Sequence, residues 1–122
     1  MAEALELTGA LVNALNNKRG MNIEVLYTTD VTSLADYFIM CSAASTTQLR
    51  TLAESCEEAA EKLGETPLHM EGDRESGWMV LDYNTVIVHL FLPQQREFYD
   101  LDRLWREAEA VDVAPFLVKE EE

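Results

Sequence analysis

Tyr37-Phe38-Ile39-Met40-Cys41 is a run with no charged side chain, preceded directly by Asp36. Successive side chains of a strand point to opposite faces, so a strand that is apolar at every position must be covered on both. That requirement places the run in the middle of a sheet and constrains the fold more than any other feature of the chain. The segments around it supply the cover. Ala4, Leu7, Leu11, Ala14 and Leu15 recur at helical spacing, predicting an amphipathic helix over about residues 4–19, with Lys18-Arg19 as a basic last turn and Gly20 as the stop. Leu49, Leu52, Ala53, Cys56, Ala60 and Leu63 form a second stripe, opened by Ser45 or Thr46 as cap and closed by Gly64.

The remaining segments read as strands. From Asn22 to Thr29, alternation sends Ile23, Val25 and Tyr27 to one face. A short third strand is expected around Leu68 to Glu71, ending at Gly72. Trp78–Tyr83 and Thr85–Leu92 are two apolar runs with almost nothing between them, which predicts an antiparallel hairpin turning at Asn84, a residue that tolerates positive φ. Asp100 caps a last short helix containing Leu101, Leu104, Trp105 and Ala108. The order of elements predicts a single α/β domain over residues 1–117, a mixed sheet flanked by helices. Residues 118–122 form an acidic, frayed tail.

A chain of 122 residues is long enough for one domain that buries roughly two thirds of its unfolded surface. With 23 acidic residues against 9 basic ones the formal net charge is -14. That field repels nucleic-acid backbones and anionic lipid headgroups, and it speeds encounters with basic proteins. Neither direct DNA binding nor a membrane partner is expected, and no apolar run is long enough for a transmembrane helix. The N-terminus is acidic and lacks the basic n-region of a signal peptide, so the chain reads as cytoplasmic. Cys41 and Cys56 have no CxxC spacing, which points to reduced core residues rather than a disulfide or zinc site.

Enzyme readings find little support. The sequence contains no GxGxxG, P-loop, HExxH or GxSxG motif. His89 shares a face with Thr85, Ile87 and Phe91, and a packed imidazole with one hydrogen-bonded nitrogen outweighs a catalytic role. The sharpest alternative is a nucleotidyltransferase-like enzyme in which Asp30, Asp36 or Asp82, all flanking strands, hold magnesium. Such a site needs donors for a triphosphate, and no phosphate loop or basic cluster is visible. Capping and turn formation account for these aspartates more simply. The glutamates of the second helix, Glu54, Glu57, Glu58 and Glu61, read first as a solvated face. The late aromatics Trp78, Tyr83, Tyr99 and Trp105, together with Arg96, are of the residue types that anchor protein interfaces.

Taken in order, Asp36-Tyr37-Phe38-Ile39, Glu71-Gly72, Gly77-Trp78-Met79-Val80-Leu81-Asp82-Tyr83, Val88-His89-Leu90-Phe91, Arg96-Glu97-Phe98-Tyr99-Asp100-Leu101 and Leu104-Trp105 resemble the motifs of the Iojap family of ribosomal silencing factors. The resemblance runs nearly the whole chain up to about Val111. It implies a fold related to nucleotidyltransferases without their catalytic site, no cofactor or metal, and no enzymatic activity. It also implies binding to the large ribosomal subunit through ribosomal protein number fourteen, blocking small-subunit joining when nutrients are short, and a homodimer when free. By motif, Trp78, Tyr83 and Tyr99 resemble the family's partner-facing positions, with Leu81, Arg96 and Asp100 beside them. Strict alternation nevertheless sends Trp78 and Leu81 to opposite faces. Two departures from the family pattern are Ala44 and Asn84, where glycines are common; a positive φ would strain Ala44 more than Asn84.

Overall fold

In the computed structural model, which describes residues 3–29, 35–73, 77–95 and 109–117, the apolar run becomes the third element of an α/β fold. In chain order the described elements are α1 (Ala4–Asn17), β1 (Met21–Tyr27), β2 (Tyr37–Ser42), α2 (Thr46–Glu61), β3 (His69–Asp73), β4 (Trp78–Asp82), β5 (Val86–Phe91) and β6 (Glu109–Val111), followed by a 3-10 turn at Ala114–Phe116. The strands form one six-stranded mixed sheet in the order β3-β4-β5-β2-β1-β6. β2 runs parallel to β5, with Ile39 opposite Val88, and antiparallel to β1. The central position expected for the run is the one it takes.

Both faces of β2 are buried, for different reasons. Ile39 and Cys41 join Leu7, Leu11, Leu15, Leu49, Leu52 and Cys56 in the larger core, beneath α1 and α2. Phe38 and Met40 point the other way and cluster with Leu26, Phe91 and Ala35, against which Trp78 and Ile87 pack. The helices therefore cover one face of the sheet, and an aromatic and aliphatic cluster occupies the other.

Local chemistry fixes the ends. Ser45 caps α2, its Oγ accepting from the Gln48 N–H at 3.1 Å. The Gln48 side chain accepts from the Ala44 N–H and donates to the carbonyls of Lys18 and Arg19. One amide thus joins the end of α1 to the start of α2, where helix-terminal carbonyls need donors. α1 stops at Asn17, earlier than the apolar period suggests, because Arg19 turns the chain with φ 64. Lys18 and Arg19 form the reversal rather than the last turn of the helix. Ala44 is absent from the residues with positive φ, so its departure from glycine carries no strain. Asn84 does take φ 75, and the Asp82 carboxylate accepts its N–H at 2.8 Å. The β4–β5 hairpin turns where expected.

Two elements were not anticipated. β6 pairs antiparallel with β1 through Ala110 and Leu26, and Phe116 lies against Gly9 of α1, where a Cβ would come within 3.0 Å of its ring. A helix beginning at Asp100, and the tail at 118–122, lie outside the described residues. Among the described residues no helix is long and apolar enough to cross a membrane.

Because Ile39 is fully buried at the centre of the sheet, Ile39→Ala should lower the unfolding free energy by about 2–5 kcal/mol in urea titration. Glu61→Ala, on the exposed side of α2, should change it by less than about 0.5 kcal/mol.

Candidate functional site

β4 divides the expected site residues between the two faces of the sheet. Its register with β5 is regular, pairing Trp78 with Phe91, Val80 with His89 and Leu81 with Val88. Leu81 is fully buried in the core beneath the helices. Tyr83, just past the strand, is only 4% exposed and packs in that same core. Its phenol is pushed above its ordinary pKa by burial first, then by the neighbouring Cys56 and Glu57 of α2. Neither residue has surface to offer a partner in this conformation. Where the resemblance expects them to face a partner, alternation and the packing of α2 turn both inward beneath β4.

Trp78 lies on the opposite face and remains partly exposed. Gly72 of β3 allows its backbone to sit where it does. Gly72 has φ +79, and a Cβ there would collide with the Trp78 carbonyl oxygen, so any side chain would have to displace the strand that carries the indole. Arg96, Tyr99 and Asp100 lie outside the described residues.

His89 joins Trp78 to the centre of the sheet. The imidazole stacks on Phe38 with centroids 5.4 Å apart and planes at 18°, and on Trp78 at 6.2 Å and 26°. These separations are within the range of favourable aromatic pairing. One hydrogen-bonded nitrogen was expected; instead neither Nδ1 nor Nε2, both buried, has a hydrogen-bond partner among the described residues. Burial lowers the imidazole pKa from 6.5 to about 4, so the ring is neutral at physiological pH. Alternation had placed His89 on this face, but the diagonal ring contacts depend on the register among three strands, which the sequence does not state.

The aspartates of the enzymatic alternative serve local structure. Asp36 Oδ1 accepts from Thr29 Oγ1 at 3.1 Å, and Asp82 Oδ1 holds the hairpin turn; Asp30 is outside the described residues. Among the described residues no group of three or more His, Cys, Asp or Glu could hold a metal ion. Cys41 and Cys56 are buried and form no disulfide. Burial foremost, then Cys41 and Glu57, raises the Cys56 thiol pKa, the opposite of what a nucleophile requires.

The chain is thus an α/β protein whose mixed sheet carries helices on one face and a partly open aromatic cluster on the other. Comparison with known proteins identifies the family. The model described as "Ribosomal silencing factor during starvation" matches residues 1–122, and the chain belongs to that family. It is similar to the ribosomal silencing factor RsfS of Bacillus subtilis, with 32% identity over 82% of this chain and 85% of the relative. The corresponding protein of Halalkalibacterium halodurans is 29% identical over 88% of this chain and 92% of its own. A crystal structure of a protein from Chromobacterium violaceum superimposes with a TM-score of 0.82 at 30% identity, covering 86% of this chain and 88% of that one.

Because folding depresses the His89 pKa, the unfolded chain takes up that proton first as the pH falls below 6.5. Stability from this group is therefore full above that value, declines towards about pH 4, and is fully lost below it. Between pH 7 and 5.5, above the carboxylate range, the decline should be about 1 kcal/mol. Chemical denaturation at the two pH values should show it in the parent, and His89→Phe should remove it.

Proposed function

We propose that this protein binds the large ribosomal subunit through ribosomal protein number fourteen and silences translation by sterically blocking the small subunit. Nutrient shortage is the condition under which it would act, in the cytoplasm and without catalysis. The observation that carries the reading is Trp78, a tryptophan left partly exposed on the face of the sheet opposite the helices, in a chain of the ribosomal silencing family. Tryptophan combines a large apolar area with few rotatable bonds, which makes it a strong interface anchor. Arg96, Tyr99 and Asp100 are proposed to extend the contact, with Leu81 and Tyr83 bracing β4 from beneath.

The charge supports a protein contact rather than an RNA contact. At a net charge of -14, approach to exposed rRNA is repelled, while a basic ribosomal protein is attracted and the encounter rate falls with added salt. Occlusion requires no bond to be made or broken, so affinity and placement determine its effect. For the free protein we propose a homodimer. The edge strand β3 supports this with exposed Met70, preceded by Leu68, 73% exposed, the kind of apolar edge that pairing covers.

Purified protein incubated with isolated large and small subunits at moderate salt should pellet with the large subunit only. Trp78→Ala should weaken that binding by about 2 kcal/mol, roughly thirtyfold, in a protein whose circular dichroism is unchanged. Undiminished binding by the variant would remove Trp78 as the anchor, and pelleting with neither subunit would remove the ribosomal reading.

A further inference from the structure

His89 takes no part in the proposed contact with the ribosome, yet its ring stacks on both the indole of Trp78 and the buried Phe38, beside the cross-strand pairing of Trp78 with Phe91. Phe38 on β2 is paired with Ile87, Met40 with His89, and Trp78 on β4 with Phe91. Phe38 and Trp78 are therefore two of the diagonal neighbours of His89, displaced in opposite directions along the sheet. Diagonal neighbours are within reach of one another when the side chains are aromatic or long. Three rings consequently form a line across β2, β5 and β4, rooted in the buried Phe38 and ending at the partly exposed Trp78.

We propose that His89 is a positioning residue for Trp78, wedged between Phe38 and the indole so that the indole plane is fixed before a partner arrives. The proposal rests on the reading of Trp78 as the docking anchor. An indole already held in its bound orientation gives up less rotational freedom on docking, and preorganisation of this kind raises affinity without adding a contact. Imidazole is flat and small enough to lie under an indole inside a sheet. A leucine would fill similar space without the planar face, and a phenylalanine would keep the face.

The chain has two tryptophans, so Trp105→Phe as a common background leaves Trp78 as the sole indole emitter. In that background the parent, His89→Phe, His89→Leu and Trp78→Ala are compared for binding to isolated large ribosomal subunits. The three that retain Trp78 are also compared by anisotropy decay of its fluorescence. His89→Phe should match the parent in both. His89→Leu should show faster local motion of the indole and bind about five- to tenfold more weakly, the scale of one aromatic pair. In the Trp78→Ala background, His89→Leu should cost nothing further.

Unchanged indole motion and affinity in a folded His89→Leu protein would overturn the proposal, as would a binding loss that persists without Trp78, since His89 would then act through the fold. If Trp78→Ala binds as tightly as the parent, the docking reading fails instead. The anisotropy comparison still determines, in that case, whether His89 holds the indole.

Discussion

A strand buried on both faces can exist only if something lies over each of them, and β2, buried from Phe38 to Ser42, imposes that demand on the whole molecule. β1 and β5 satisfy its backbone from the two sides, one antiparallel and one parallel. Ile39 and Cys41 then have to be met by helices, and Phe38 and Met40 by other side chains of the sheet. The parallel pairing with β5 demands a return connection, and α2 lies on that path, capped by Ser45 and joined to α1 through Gln48. Cores of this density leave little room for a side chain to choose its own direction.

The two faces of the sheet consequently have different tasks. Beneath the helices, Leu81 and Tyr83 are buried in the larger core. On the other face the cluster grades from fully buried Phe91 and Met40 to partly open Trp78. A tryptophan at the margin of a core is held because its base is packed, while part of its surface remains open. In the proposed docking role the acidic surface would act at longer range, biasing which partners approach that face, and the aromatic residues would determine what can stay.

Much of this was legible in the sequence because it rests on local periodicity. The α2 stripe, the apolar β2 run and the hairpin at Asn84 each carry a pattern of period or turn chemistry that reads the same with or without the rest of the chain. What escaped depends on distant pairing. Glu109-Ala110-Val111 is too short to announce a strand and becomes one only because β1 has an unpaired edge. The end of α1 escaped for a different reason, since Arg19 rather than Gly20 takes the left-handed turn. At the site, alternation correctly separated Trp78 from Leu81, and the motif resemblance that grouped them could not register that only one reaches the surface. The stack of Phe38, His89 and Trp78 required knowing that β5 lies between β2 and β4.

The contacts of residues 109–117 bear on how the molecule is made. β6 completes the edge of β1, and Phe116 rests on Gly9 of α1, so the first helix and strand find their last neighbours among the final described residues. During synthesis those neighbours emerge after every other described element. Helix α1 and the open edge of β1 must therefore wait, with these contacts unmade, until residues 109–117 have left the exit tunnel. The α1–β1 unit is thus the first part of the fold to be made and the last to be covered.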